Sequence, residues 1–433
     1  MTFKASAICS GQPKRVRPTK PRLPKLVANV ASILLMMALA ISIAGPSPAS
    51  AKPDFKAYIE SLWPEARARF GVSRATFDKA IKGLKPDLTL PDLQIEGRRR
   101  KVRQAEFTRA PSGYLDPAYL GRLAKTGRKL ARKYASELKD IEQRFGVDGA
   151  IALAIFGRET AFGAYTPKHD AIRVLATQAW TGRRKEQFRE EFLYALKLLE
   201  KGVPRKKMRA SWAGAMGLTQ FLPSEFFTHV HDMGGDGYAD LFNSVPDALA
   251  SAARQLKNHG WVRGLEWGYE VKIPKSADCA EEGPVGERPF VEWKALGFKR
   301  TGNRQWPAEI AAYNAYLMSP AGAYGPSFLV TDNFKAIRKY NTSDLYATFV
   351  GNLADRIRGG GNFVTRWQDI GPQRTAIIRA VQQGLKDAGH PITIVDGFIG
   401  SNTRREAGQY QRAAGLNVDC WPTQKLVNNL KSR

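Results

Sequence analysis

Residues 151–163 read Ile151-Ala-Leu-Ala-Ile-Phe-Gly-Arg-Glu159-Thr-Ala-Phe-Gly163, an apolar run with no polar face that ends in a single carboxylate. Six consecutive apolar residues leave a helix no solvent side, so the segment predicts a helix buried all round, with Asp148 as its N-cap. Such a helix carries Glu159 to the rim of the core, where desolvation disfavours the charged carboxylate and favours a proton near neutral pH. A carboxyl in that state is suited to protonating the leaving oxygen of a glycosidic bond. Further along, residues 211–223 read Ser211-Trp-Ala-Gly214-Ala-Met-Gly-Leu-Thr-Gln220-Phe-Leu-Pro223, a small-residue loop into which a flat polymer can settle close to the backbone. Each segment has a plainer reading when taken alone: a solvated helix end for the first, and a tight helix crossing for the second.

The chain has 433 residues, 43% of them hydrophobic and 10% aromatic, which suits two or three domains with a sizeable core and excludes disorder throughout. Its net charge is +27. Seven basic residues (Lys4, Lys14, Arg15, Arg17, Lys20, Arg22, Lys25) precede an apolar stretch from Leu26 to Ala44, and Ala49-Ser50-Ala51 follows. That order reads as a secretory signal over 1–51. The apolar stretch is also long enough to span a bilayer, so an uncleaved inner-membrane anchor is the alternative; Pro46 and Pro48, just before the small-residue site, favour cleavage. Either way the folded part is expected in the periplasm.

Removing the seven basic residues from +27 leaves +20, so the basicity belongs to the folded part. It favours a polyanionic partner; export replaces nucleic acid with acidic wall polymers or anionic lipid surfaces. Of the cysteines beyond the signal, Cys279 and Cys420, an oxidising compartment permits a disulfide, while two free thiols fit the sequence equally. His169, His229, His231, His259 and His390 show no zinc spacing.

Residues 52–145 read as mostly helical, with Phe55, Tyr58, Ile59 and Leu62 at helical spacing and Arg98-Arg-Arg-Lys101 as a solvated basic face. Helices are expected over Gly149–Arg158, over Phe188–Leu199 and after a cap at Ser244-Val-Pro-Asp247. Val271–Trp306 changes character, with β-branched residues, Pro, Gly and Glu281-Glu282, and reads as short strands and loops inserted in a helical domain. Ala308–Arg358 is expected to return to helix and loop, and Gly359-Gly-Gly361 to be a linker. Beyond it lie an amphipathic helix over Thr375–Leu385 and two related turns, Val395-Asp-Gly397-Phe-Ile-Gly400 before Thr403, and Val418-Asp-Cys420-Trp-Pro-Thr423. Each is an Asp turn leading into a Thr-started helix, the pattern of a small three-helix module with internal repetition.

Four separated motifs make a specific likeness: Gly157-Arg-Glu159-Thr-Ala-Phe-Gly163, Ser211 to Ser224, Gly234-Gly-Asp236-Gly-Tyr-Ala-Asp240-Leu241, and Lys339-Tyr340-Asn341-Thr-Ser-Asp-Leu-Tyr346-Ala347. In this order they resemble the lytic murein transglycosylase B family, over roughly residues 53–360. The tail, with Asp396-Gly397-Phe-Ile-Gly400 and Gln411-Arg-Ala-Ala-Gly-Leu416, is similar to a small peptidoglycan-binding domain. The resemblance implies a mainly α (α+β) fold: a lysozyme-like catalytic domain over 52–362 with a small β/loop insertion, then a three-helix wall-binding module over 370–433.

It also implies that Glu159 cleaves the β-1,4 bond between N-acetylmuramic acid and N-acetylglucosamine, first as acid and then as base, leaving a 1,6-anhydro end without water. No second carboxylate motif stands beside Glu159, although Asp170 or Asp232 is a candidate for spatial proximity. By motif, Gln220 with Ser211 to Gly214 holds the sugar N-acetyl group, Tyr340, Asn341 and Tyr346 line the cleft, and Arg183 with Arg184 meets the acidic peptide stems. Asp232, Asp236 and Asp240 resemble a shortened calcium loop in which Gly234 replaces a side-chain oxygen; no cofactor is required. In the tail, Cys420 stands where a Gly is expected after Asp419, which either strains the turn or serves a disulfide. The implied partner is the peptidoglycan strand. The competing readings are a hydrolytic muramidase and a non-catalytic wall-binding scaffold.

Overall fold

The structure, a computed structural model, describes residues 54–95, 97, 109–372 and 374–432; the signal segment and the Arg98–Lys101 patch lie outside them. The central helix spans Gly149–Thr160, with Asp148 accepting the Ala150 N–H at 2.6 Å as the sequence predicts. Ile151 through Phe156 are all at most 1% exposed, because three helices, Pro117–Lys133, Val245–Asn258 and Asp344–Ile357, enclose this helix. An element apolar on every side is stable only when every side is covered.

A second core lies beside the first. The helices Phe55–Ser61, Trp63–Phe70 and Arg74–Ile81 pack with Ala171–Thr181 and Lys185–Glu200 around Phe77, Phe188, Phe192 and Leu196. The 211–224 loop runs from one core to the other: Ala210 and Met216 belong to the second, whereas Leu218 packs against the first. Two short strands, β1 (His169–Asp170) and β2 (Arg209–Ala210), pair antiparallel where this loop begins.

The inserted β region is larger than expected. Five antiparallel strands, β3 (Gly268–Lys272), β4 (Arg288–Pro289), β5 (Lys299–Arg300), β6 (Asn314–Met318) and β7 (Ser327–Val330), form one sheet in the order β4-β6-β7-β3-β5. The expectation that helix and loop resume at Ala308 is therefore corrected: β6 and β7 follow, and helix returns at Asp332–Tyr340. These two strands are short apolar runs, and one face of the sheet packs on the main core while the other covers Phe290, Trp293 and Phe298, so no alternation betrays them.

The tail forms three helices, Thr375–Asp387, Ser401–Ala413 and Gln424–Lys431, around Val381, Leu385, Ala407 and Leu426. Thr423 caps the last helix as expected, but the middle one starts at Ser401; Thr403 instead meets the Gln382 amide at 3.2 Å. The two Asp turns are equivalent in detail. Gln382 accepts the Gly397 N–H, and Gln411 accepts those of Asp419 and Cys420. Cys420 adopts φ +57 where Gly397 has +79, so it occupies a glycine conformation and is also bonded to Cys279.

This disulfide fastens the tail to the sheet region, and a buried pair reinforces it: Arg404 donates from Nε and Nη2 to Glu282 at 2.9 and 2.6 Å. The glycine segment expected as a linker leads into a packed strap. The Val364 and Thr365 amides donate to Glu270, and Phe363 and Trp367 lie against the main core.

Candidate active site

The Glu159 helix stops abruptly. Ala161, Phe162 and Gly163 all have positive φ (+49, +59 and +83), which costs roughly 1–2 kcal/mol for each residue with a Cβ. This turn folds the Phe162 ring back over Gly157, where an added Cβ would lie 2.6 Å from the ring. The strained turn is clamped by Thr160, whose hydroxyl donates to the Leu218 carbonyl at 2.8 Å and accepts the Gly163 N–H at 3.2 Å. The helix end carrying Glu159 and the small-residue loop, far apart in sequence, are thus bonded to each other.

Glu159 is half-buried, and the Tyr346 hydroxyl donates to its Oε1 at 2.5 Å. Tyr346, 1% exposed, stacks on Tyr340 with ring centroids 6.4 Å apart and 11° between planes. The Tyr340 hydroxyl donates to the Thr219 carbonyl, next to Gln220. Burial, and after it the charge of Glu159, holds both phenols well above the usual range, so each stays a donor. Behind Tyr346, the Arg158 guanidinium lies over the Tyr114, Phe349 and Tyr346 rings at 5.0, 5.1 and 5.8 Å and bonds the Tyr114 hydroxyl.

The loop is built by its own backbone. Ser211 Oγ accepts the Ala213 and Ala215 N–H groups at 3.3 and 3.2 Å. Gly214, at φ +89, leaves no room for a Cβ against Leu175. Gln220 sits at φ +56 with its amide donating to the Gly217 carbonyl at 2.9 Å. Tyr346 and Tyr340 thus link Glu159 to the Thr219 carbonyl, next to Gln220, with Ser211 and Gly214 shaping the loop. Asn341 shapes the turn before the Tyr346 helix, accepting the Ser343 N–H at 3.2 Å. Arg183 and Arg184 are anchored on Asp92, at 3.2 and 3.9 Å.

Asp170 and Asp232, the candidates for a second acid, are committed elsewhere. Asp170 caps its helix through the Arg173 N–H and pairs with Arg205 at 2.8 Å; Asp232 accepts the Gly235 and Gly237 N–H groups at 2.7 Å each. The carboxylates of the acidic loop meet donors of the protein. Asp240 turns to the Phe242 and Asn243 amides and to Lys207, and Asp236 accepts the Tyr238 N–H. Among the described residues, the one group of three His, Cys, Asp or Glu ligand atoms within 4.8 Å is Asp278 with Cys279 and Cys420, two of which form the disulfide.

Residues 54–355 match the family described as Transglycosylase SLT domain. The chain belongs to that family. Membrane-bound lytic murein transglycosylase B of Escherichia coli (strain K12) is 35% identical over 244 residues, which is 52% of this chain and 61% of that relative, so the chain spans less than two thirds of its length. SltB3 from Pseudomonas aeruginosa, solved in complex with NAG-anhNAM-pentapeptide, superposes with a TM-score of 0.77 at 36% identity, covering 87% of this chain and 99% of its own. SltB1 from the same organism gives 0.57 at 25% identity, covering 71% and 100%. The mainly helical fold is thus that of the family.

Sequence reading missed a carboxyl near the site of this transglycosylase-family chain. Glu225 heads the short helix Glu225–Thr228; its Oε2 accepts the Leu222 N–H and its Oε1 the Gln255 amide, both at 2.7 Å. Burial, with the charges of Glu191 and Glu159 adding to it, pushes this carboxyl up to about 7. The only hint was the Pro-Ser-Glu order after the loop, which reads as an ordinary helix start.

Proposed function

We propose that the chain is a lytic transglycosylase that cleaves the β-1,4 bond between N-acetylmuramic acid and N-acetylglucosamine in peptidoglycan, forming 1,6-anhydromuramoyl ends. The observation that carries this reading is the Glu159–Tyr346 bond at the junction of the two helical cores, with Asp170, Asp232 and Glu225 each committed to protein donors. Glu159 gives its proton to the glycosidic oxygen as the bond from that oxygen to the muramoyl C1 breaks. The carboxylate so formed takes the proton from the C6 hydroxyl as O6 bonds to C1. The proton lost in the first step is regained in the second, and no water is consumed. Hydrolases with inversion or retention use a second carboxylate as base or nucleophile. SltB3 of Pseudomonas aeruginosa has been solved with both NAG-NAM-pentapeptide and NAG-anhNAM-pentapeptide, which supports the same substrate class here.

In this reading Gln220 and the Ser211–Gly214 backbone hold the N-acetyl group, the Tyr340 and Tyr346 rings border the reacting sugar, and Arg183 and Arg184 meet stem carboxylates. The tail adds wall contact, and its disulfide makes it a fixed extension of the surface in place of a loose tether. The signal-like N-terminus, the disulfide and the basic charge support action in the periplasm, whether the signal is cleaved or kept as an anchor. Among the described residues, no helix is long and apolar enough to cross a membrane. The test is Glu159→Gln. It should still sediment with purified sacculi while releasing no soluble fragments; continued release would refute the assignment of Glu159.

A further inference from the structure

The helix Pro117–Lys133 carries six basic residues and no acidic one. Its inner face is filled by Leu120, Leu123, Ala124 and Gly127, and a Cβ added at Gly127 would lie 2.6 Å from Ile357, so the helix is held close against the core. Arg128 turns inward and donates to the Arg356 carbonyl at 2.7 Å. The other five, Arg122, Lys125, Lys129, Arg132 and Lys133, are exposed, and the helical turn gathers them within about 100° of arc on one face. At the helical rise the stripe runs about 16 Å. Among the described residues, none of the five pairs with a carboxylate.

Stability does not account for this face. Arg122 with Lys125 and Lys129 with Arg132 stand at i and i+3, and Lys125 with Lys129 and Lys129 with Lys133 at i and i+4, so like charges meet along the stripe and weaken the helix. The helix dipole favours Arg132 and Lys133 in the last turn, but its effect reaches no further back. At the other end, the Arg122 guanidinium lies over the exposed Tyr119 ring at 5.7 Å. That ring is 6.1 Å from Phe349, which lies 5.1 Å from the Arg158 guanidinium behind Tyr346. The stripe therefore begins at the aromatic group that backs the Glu159 site.

We propose that this face is a second peptidoglycan-binding surface, whose cations take stem carboxylates of the same strand that is cut at Glu159. The inference rests on the substrate read above. Acidic stems recur along the glycan, so a strand held in the site presents carboxylates beyond it, and a row of cations on a packed helix adds a second point of attachment. An anionic lipid surface is the poorer match. An interfacial helix buries an outward apolar face in the bilayer, whereas here the apolar residues are turned inward and Tyr119 is the one large hydrophobic residue exposed on the helix.

The test replaces four exposed side chains of the full chain together, Arg122→Gln, Lys125→Gln, Lys129→Gln and Arg132→Gln. Affinity is read by sedimentation with purified sacculi, with Glu159→Gln added to both chains so that the wall stays intact; cleavage of a short soluble muropeptide is measured with Glu159 in place. At low salt the dissociation constant for sacculi should rise by roughly tenfold, the gap closing as salt screens the charges, while the short fragment is cleaved at the unmodified rate. Equal affinity of the two chains at low salt overturns the proposal, and so does a matching loss of rate on the short fragment. Retained sacculus binding with lost binding to phosphatidylglycerol vesicles assigns the face to lipid and overturns it too. The two readings fail differently: a parent chain that does not bind sacculi sinks the substrate reading, whereas a quadruple variant that binds as well as its parent sinks only this surface.

Discussion

Replacing Tyr346 with Phe deletes one oxygen from the site and leaves its packing intact. The ring is 1% exposed, stacked on Tyr340 and covered by the Arg158 guanidinium, and Phe keeps each of these contacts. What is lost is the hydrogen bond to Glu159 Oε1. A hydrogen bond to a charged group contributes about 1.5–3 kcal/mol. It counts most when Glu159 is ionised, in the interval between giving up its proton to the leaving oxygen and regaining one from the C6 hydroxyl. At about 1.4 kcal/mol per tenfold change, kcat/KM should fall by about 10- to 150-fold. Initial rates of fragment release from purified sacculi give the number, and a denaturant melt of the same preparation should show little change. A variant within twofold of the unmodified chain would refute the idea that Tyr346 stabilises the carboxylate.

Other consequences follow from the fold around the site. Gly157→Ala sets a Cβ 2.6 Å from the Phe162 ring and should cost about 1–3 kcal/mol, with lower activity because the displaced turn carries Glu159; chemical denaturation beside a rate assay checks both. Replacing Cys279 and Cys420 together with Ser opens a link between residues 141 apart and should lower stability by up to about 5 kcal/mol, read as greater protease sensitivity of the tail. His229 is lowered to about 4, chiefly by burial, so below its ordinary value near 6.5 the unfolded chain binds a proton that the folded chain refuses. Its contribution is therefore complete above about pH 6.5 and is lost as pH falls toward 4. His229→Gln should flatten the decline in unfolding midpoint across that window, and an unchanged slope would count against it.

What the sequence disclosed was what local pattern encodes. The apolar run before Glu159 required an enclosed helix, and the caps at Asp148, Ser244 and Thr423 form as their residue types demand. The likeness between the two tail turns extends to the glutamine that holds each one. Contacts between distant segments were not legible. Thr160 clamps Leu218, and Arg158 braces Tyr346, through side chains that are unremarkable in the linear order. Strands β6 and β7 escaped because an apolar run buried on both faces has no period. The partners of Asp240, Lys207 and the amides that follow it, were likewise hidden in the linear order. Glu225 shows the same limit: only the arrival of Gln255 and the nearness of Glu159 distinguish it from a surface glutamate.

In the proposed reaction one carboxyl, Glu159, breaks the glycan without water. Digestion of purified sacculi in water enriched in oxygen-18, followed by mass spectrometry of the released ends, tests it most directly. Anhydromuramoyl ends that carry no heavy oxygen are expected, and none of these products from Glu159→Gln. Reducing ends labelled with oxygen-18 would contradict it and would make the protein a hydrolase.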